Sequence, residues 1–184
     1  MILLIEHGQT ALDAKGESHG GRDAPLNRTG KQQAVRLGMR LRAAHPKPEV
    51  IFHSPKKRAM QTARIAGHVA HIAVAERREL APLRAGALGA GPETEVARLL
   101  TPYFQQPAKT IPGGEAVGPW RAGHTSFMKR LARSGRPVAV VTHSNVIGSL
   151  TGGVQGSLRA MADTPQPATP RVWQQSVGSE SHQR

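Results

Sequence analysis

The chain opens on an unbroken aliphatic run, Met1 to Ile5, with no polar residue interposed. A run this short and unalternating predicts a strand buried on both faces, as in the centre of a parallel sheet, ending at Glu6-His7-Gly8. After a glycine-rich loop, Asn27 offers an N-cap, and Ala34, Leu37, Leu41 and Ala44 recur at helical spacing until Pro46 and Pro48 forbid continuation. Val50-Ile51-Phe52 predicts a second strand. Ser54-Pro55 reads as an N-cap followed by proline at the first helical position, and the helix it opens carries Ala59, Ala63, Ala66 and Ala70 on one face. His71 to Val74 predicts a third strand, and the Gly-, Pro- and Arg-rich stretch from Arg77 to Pro92 has no period and reads as irregular. A short helix through Val96, Leu99 and Tyr103 comes next. Pro112-Gly113-Gly114 forms a turn, after which Val117, Trp120, Phe127 and Leu131 share a helical face. Val138 to Thr142 is the strongest strand pattern, and His143-Ser144-Asn145 opens another helix.

Strands alternating with helices predict an α/β fold, a three-layer sandwich with a mostly parallel sheet flanked by helices. Residues 1–160 form the expected domain. Residues 161–184 are rich in Pro, Gln, Ser and Thr and read as a polar, poorly ordered tail in which only Arg171-Val172-Trp173 suits an edge strand. In such sheets ligands bind outside the carboxyl ends of the strands. Three polar clusters fall there: Glu6-His7-Gly8, His53-Ser54-Pro55 and Thr142-His143-Ser144. They should converge, with helix N-termini around them, on a site suited to phosphate or carboxylate.

Composition sharpens that expectation. Lys and Arg total 25 against 12 Asp and Glu, a formal charge of +13 over 184 residues, which favours anionic ligands. The absence of cysteine excludes disulfide staples, thiolate metal sites and cysteine nucleophiles, and is compatible with a reducing, cytoplasmic setting. No stretch approaches the ~20 apolar residues that span a membrane. Gly30-Lys31 lacks the rest of a phosphate-binding P-loop, and the glycines from Gly86 to Gly91 have the wrong spacing for a dinucleotide fingerprint, so no cofactor is expected. His68 and His71 lack further ligands, so no metal is expected either. His124, between Trp120 and Phe127, reads as a packed core residue.

Five ordered blocks carry a resemblance: Leu4-Ile5-Glu6-His7-Gly8-Gln9-Thr10; Gly21 to Asn27 with Gly30 and Gln33-Ala34; Ser54-Pro55-Lys56-Lys57-Arg58-Ala59-Met60-Gln61-Thr62-Ala63; Pro112-Gly113-Gly114-Glu115; and Val140-Val141-Thr142-His143. Together they resemble the histidine phosphatase, or phosphoglycerate-mutase-like, superfamily over residues 1 to about 150. The resemblance implies His7 as a nucleophile that forms a phosphohistidine, Arg58 as a clamp on the phosphoryl oxygens, and His143 as a second charge-stabilising donor. Thr10 and Arg22 are further phosphate-binding candidates, although Arg22 and His19 suit an ordinary surface loop as well. The family's usual acid would fall at Pro82, which carries no proton, so Glu115 in the Gly-Gly-Glu turn is the substitute candidate.

Two departures matter. Glu6 stands where the family has a phosphate-binding arginine, and Asp13 where it usually has asparagine. Either the enzyme is impaired or a pseudophosphatase that binds phosphorylated ligands or polyanions, or Glu6 turns away to pair with an arginine. Phosphoglycerate-mutase-type transfer is a further alternative. The expected partner is a small phosphorylated substrate, with non-specific polyanion binding as a by-product of surface charge. Binding to duplex DNA should therefore fall steeply with salt and show no sequence preference; retention titrations at rising salt on two unrelated duplexes check this, and salt-resistant, sequence-selective binding would contradict it.

Overall fold

A computed structural model describes residues 1–151 and the backbone of 171–173. Five strands, β1 (Ile2–Glu6), β2 (Val50–His53), β3 (Ala73–Glu76), β4 (Val138–Thr142) and β5 (Arg171–Trp173), form one sheet in the order β3-β2-β4-β1-β5. The first four pair in parallel and β5 adds antiparallel to β1 at the edge. The expected edge strand is therefore present, while the remainder of the polar tail lies outside the described residues.

β1 and β4 sit at the middle and every one of their residues is buried. Their side chains divide by parity. Leu3, Ile5, Ala139 and Val141 face α1 (Arg28–Ala43) and α2 (Lys57–Ala70), where Leu37, Leu41, Ala59, Ala63, Ala66 and Ala70 complete one core layer. Ile2, Leu4, Val138 and Val140 face the other way, against Phe127 and Met128 of α4 (Val117–Ser134) and Ile147 of α5, the helix that starts at 144 and is described to 151. A third cluster, around Leu83, Val96, Leu100, Phe104 and Trp120, packs α3 (Glu93–Gln105) beside the carboxyl edge of the sheet.

Local chemistry explains most boundaries and corrects several expectations. Asn27 caps α1 as expected, accepting from the Gly30 amide at 2.8 Å. α2 instead begins two residues after Pro55, with Lys56 as N-cap, because Ser54 is held on the sheet by its amide donating to the Val141 carbonyl. The third strand lies at Ala73–Glu76, not His71 to Val74: His71 adopts a left-handed conformation (φ 54°) that closes α2 before the chain can extend. The buried face of α3 is Val96, Ala97, Leu100 and Phe104, one position away from the expected one, since α3 packs on the Trp120 cluster. Arg77 to Pro92 is irregular but includes short 3-10 turns at Arg78–Leu80 and Gly86–Gly89.

The α1–α2 contact depends on the small residues that the sequence places there. A Cβ at Gly38 would stand 2.6 Å from Val69 Cβ and 2.8 Å from the Ala66 carbonyl oxygen. Gly38→Ala should destabilise the fold by ~1–3 kcal/mol despite alanine's better helix propensity, because the crossing has no room to relax. Chemical denaturation measures this directly, and a variant as stable as the parent would contradict it.

Candidate active site

The carboxyl ends of β1, β2 and β4 deliver the site. Glu6 pairs with Thr142 in the parallel ladder, and the His7 amide continues it onto the Thr142 carbonyl at 3.0 Å. His7 and His143 thus leave the sheet side by side, with ring centroids 5.2 Å apart. Arg58, in the first turn of α2, reaches the same point: its Nε–H donates to His7 Nε2 at 3.0 Å. The three residues expected from their strand-end positions do meet, and all are nearly inaccessible to solvent.

His7 is held by its neighbours on both sides. Its Nδ1–H donates to the Gly8 carbonyl at 2.9 Å, which leaves Nε2 with the lone pair that Arg58 contacts. Burial, reinforced by the Arg58 charge, lowers its pKa to about 3, so the ring is neutral at physiological pH. Gly8 is required here: a Cβ would lie 2.6 Å from the Gly30 carbonyl oxygen, where the loop crosses the start of α1. The Gly8 amide donates to Thr62 Oγ1, tying the loop to α2.

His143 Nε2 lies 2.8 Å from the Ser54 hydroxyl. The serine's failure to cap α2 thus has a positive counterpart, since its side chain orients the second histidine. Burial first, then the Arg58 charge, holds the His143 pKa well below the ordinary value. His143 Nδ1 and Arg58 Nη1 are both buried and have no hydrogen-bond partner among the described residues. Two buried polar nitrogens left this way beside one cavity suit an oxyanion that would occupy them.

The cavity, about 320 Å³, has walls of two kinds. Lys56, Arg22 and Arg84 line it together with Arg58 as cations, and Glu6, Asp13 and Glu93 line it as carboxyls; Pro82, Leu83, Val96 and Leu100 make an apolar side. Glu6 therefore lines the cavity, and its charge acts on Arg58, whose pKa burial lowers to about 10. Asp13 accepts from the Thr10 amide at 2.6 Å and lies 3.7 Å from His19 Nε2. Burial and the Arg58 charge together hold His19 at about 3. Glu93 behaves in the opposite sense: burial, then the Asp13 charge, raise it to about 7, against the pull of Arg58. No group of three or more metal-ligating side chains among the described residues is arranged to hold an ion.

The remaining candidates divide. Arg22 reaches the cavity from its rim, anchored by Nε–H to the His19 carbonyl and Nη2–H to the Ser18 carbonyl. Thr10 does not line it; its hydroxyl accepts from the Leu12 and Asp13 amides and shapes the loop below. Glu115 is also outside: its carboxylate accepts from the Arg84 amide at 2.8 Å and faces the Arg84 side chain, which fastens the Gly113-Gly114 turn to the chain around residue 84. Sequence reasoning passed over Glu93 and undervalued His19, whose ring is 5.6 Å from His7 and mostly buried rather than on an open surface loop. The only local signal for Glu93 is an acidic residue opening a helix after an aperiodic stretch. His124 is a packed core residue as expected, its ring against Trp120 and Nε2 3.0 Å from Ser149 Oγ.

Comparison with known proteins agrees with this geometry. The model of the histidine phosphatase superfamily (branch 1) matches residues 2–170. Among curated proteins, phosphoglycerate mutase-like protein 4 of Arabidopsis thaliana is 29% identical over 158 residues, covering 81% of this chain and 68% of that protein. A metal-independent phosphoserine phosphatase of the same plant is 27% identical, covering 81% and 66%. The chain thus spans about two thirds of the length of these relatives. The solved structure of an open reading frame of Mycobacterium tuberculosis superposes with a TM-score of 0.69 at 26% identity, covering 92% of this chain and 88% of that one.

The depressed imidazoles have a consequence for stability. His7, His19, His124 and His143 all have folded pKa values below the unfolded value near 6.5, so their contribution is present above 6.5 and is lost as pH falls below it, toward 3 to 4 for His7, His19 and His124. Glu93 has the opposite sign: its raised value stabilises below the unfolded carboxyl value, and that contribution is lost as pH rises through about 7. Four groups oppose one. The thermal midpoint should fall as pH is lowered from 7 to 5, because the unfolding free energy drops by about 1.4 kcal/mol per pH unit for each imidazole that only the unfolded chain protonates. Calorimetry across this range checks the sign; a midpoint that holds level or rises would show that the rings are not held neutral.

Proposed function

The chain belongs to the histidine phosphatase superfamily, and from that premise we propose that it hydrolyses a small phosphomonoester through a phosphohistidine on His7, with turnover slowed by Glu6. The observation that carries the reading is the pair of buried, unpartnered nitrogens, Arg58 Nη1 and His143 Nδ1, next to a neutral His7 ring whose tautomer leaves Nε2 unprotonated.

Binding a phosphoryl group would draw the Arg58 fork from His7 Nε2 onto the phosphoryl oxygens, freeing the lone pair that it covers. Nε2 then bonds to phosphorus as the ester P–O bond breaks, and the leaving oxygen takes a proton from a neighbouring acid. Water attacks the phosphohistidine in a second step, returns a proton to that acid and releases inorganic phosphate. His143 Nδ1–H and Arg58 stabilise the equatorial charge in both transition states.

Glu6 works against this. It lines the cavity, and a carboxylate ~4 Å from phosphate costs ~1–4 kcal/mol by repulsion, in addition to the lost arginine clamp. Glu6→Gln should raise kcat/KM on a simple phosphomonoester roughly tenfold by removing the charge, and Glu6→Arg roughly a hundredfold to ten-thousandfold by adding the clamp, a swing of ~3–6 kcal/mol. Adding His7→Ala to either variant should abolish both turnover and acid-labile phosphate on the protein. If folded Glu6 variants gain nothing over an already active parent, the carboxylate does not face the phosphate. If neither the parent nor the variants ever carry phosphate on His7, the hydrolase reading fails and a phosphate-binding pseudoenzyme replaces it.

A further inference from the structure

The superfamily resemblance leaves the proton donor unassigned, because Pro82 occupies the expected position and Glu115 is turned onto Arg84 outside the cavity. The cavity wall contributed by α3 offers another carboxyl. Glu93 is the first residue of that helix, and its amide donates to the Gly16 carbonyl at 3.0 Å, fixing the helix start to the loop that follows β1. Val96 and Leu100 follow at i+3 and i+7, and all three line the cavity from one face of the helix. The Glu93 side chain makes no hydrogen bond or ion pair with the described residues, unlike Glu95 two positions on, which is taken up by Arg98 at 2.6 Å.

We infer that this face of α3 is the leaving-group side of the site, where Glu93 protonates the departing ester oxygen and Val96 and Leu100, with Leu83 packed beside them, receive an uncharged, apolar alcohol. The inference rests on the hydrolase reading above and names the acid and substrate class that it lacks.

Three observations converge on it. The oxyanion donors Arg58 and His143 come from the start of α2 and the end of β4, whereas α3 supplies no cation to the cavity, so the two walls separate phosphoryl binding from leaving-group binding. The groups that bear on the Glu93 carboxyl are Asp13, which disfavours its ionisation, and Arg58, which favours it; burial and Asp13 together outweigh Arg58 and keep a large share of it protonated near neutrality. Leu83, Val96 and Leu100 pack in one apolar cluster at that wall, a surface that suits an uncharged alcohol better than one that carries its own carboxylate, as phosphoglycerate does. The proton balance closes: the Glu93 proton goes to the alcohol oxygen as the P–O bond breaks and Nε2–P forms, and the resulting carboxylate accepts the proton of the attacking water when phosphate is released.

The test compares two leaving groups in the full chain. 2,4-Dinitrophenyl phosphate needs no proton on departure and benzyl phosphate does, and kcat/KM reports only steps up to phosphohistidine formation. Glu93→Gln should lower kcat/KM on benzyl phosphate by roughly a hundredfold to a thousandfold and by less than about threefold on the dinitrophenyl ester. The decline of the parent's benzyl phosphate rate as pH rises through about 7 should disappear in the variant. Glu93→Asp should restore part of the benzyl rate, and Glu95→Gln, as a control on the same helix turn, should leave both rates as they were. Equal losses on the two esters, or no loss on either in a variant that melts like the parent, would overturn the assignment of Glu93. Faster turnover of 3-phosphoglycerate than of benzyl phosphate would overturn the apolar leaving-group side. Failure of the dinitrophenyl ester to phosphorylate His7 in the parent would remove the underlying hydrolase reading and this inference with it, a result distinct from either of the others.

Discussion

Because Glu6 pairs with Thr142 and the His7 amide prolongs the ladder onto the Thr142 carbonyl, the two histidines leave the sheet at one height and on the same edge. The other site groups are referred to that register. Ser54 reaches His143 because β2 pairs with the other side of β4, its amide donating to the Val141 carbonyl. Arg58 reaches His7 because α2 starts immediately beyond. A slip of one residue between β1 and β4 would turn Leu3 and Ile5 away from their core layer and separate the imidazoles, so the apolar packing on both faces of the sheet enforces the geometry of the candidate site as a by-product of stability.

Surface charge and site charge tell different stories. The formal charge of +13 suggests a strongly cationic pocket, yet three carboxyls line the cavity alongside its four cations, and the imidazoles of His7, His19 and His143 are held neutral by burial. The excess of positive charge is therefore spread over the exterior, where it raises the local concentration of anions without fixing one. Within the cavity, Arg58 is the one cation that touches the candidate nucleophile, and its long list of carboxylate neighbours, Asp13, Asp23, Glu6 and Glu93, keeps it charged in spite of burial.

How much of this was legible in the sequence depended on the range of the interactions responsible. The strands at Ile2–Glu6 and Val138–Thr142, the Asn27 cap and the alanine face of α2 are written in local pattern, and with them came the convergence of His7, Arg58 and His143. The start of α2 was misread because Ser54 and Pro55 satisfy the local rule for a helix start, while a sheet hydrogen bond and the His143 ring claim the serine from 87 and 89 residues away along the chain. The stretch from Arg77 to Pro92 has no period to read. Its course is set by contacts such as the Arg84 amide on Glu115, which drew that carboxyl out of the site and left the cavity open to α3.

The departures from the family pattern form a connected set. An asparagine at position 13 could hold the Thr10 amide as Asp13 does, but it would bring no charge. With a carboxylate there, Glu93 gains a neighbour that disfavours its ionisation. Proline at 82 removes one proton donor, and the opening of α3 supplies a carboxyl whose protonated form that neighbour helps to maintain. The negative charge at 13 thus acts on the carboxyl at 93, disfavouring its ionisation together with burial and against the pull of Arg58.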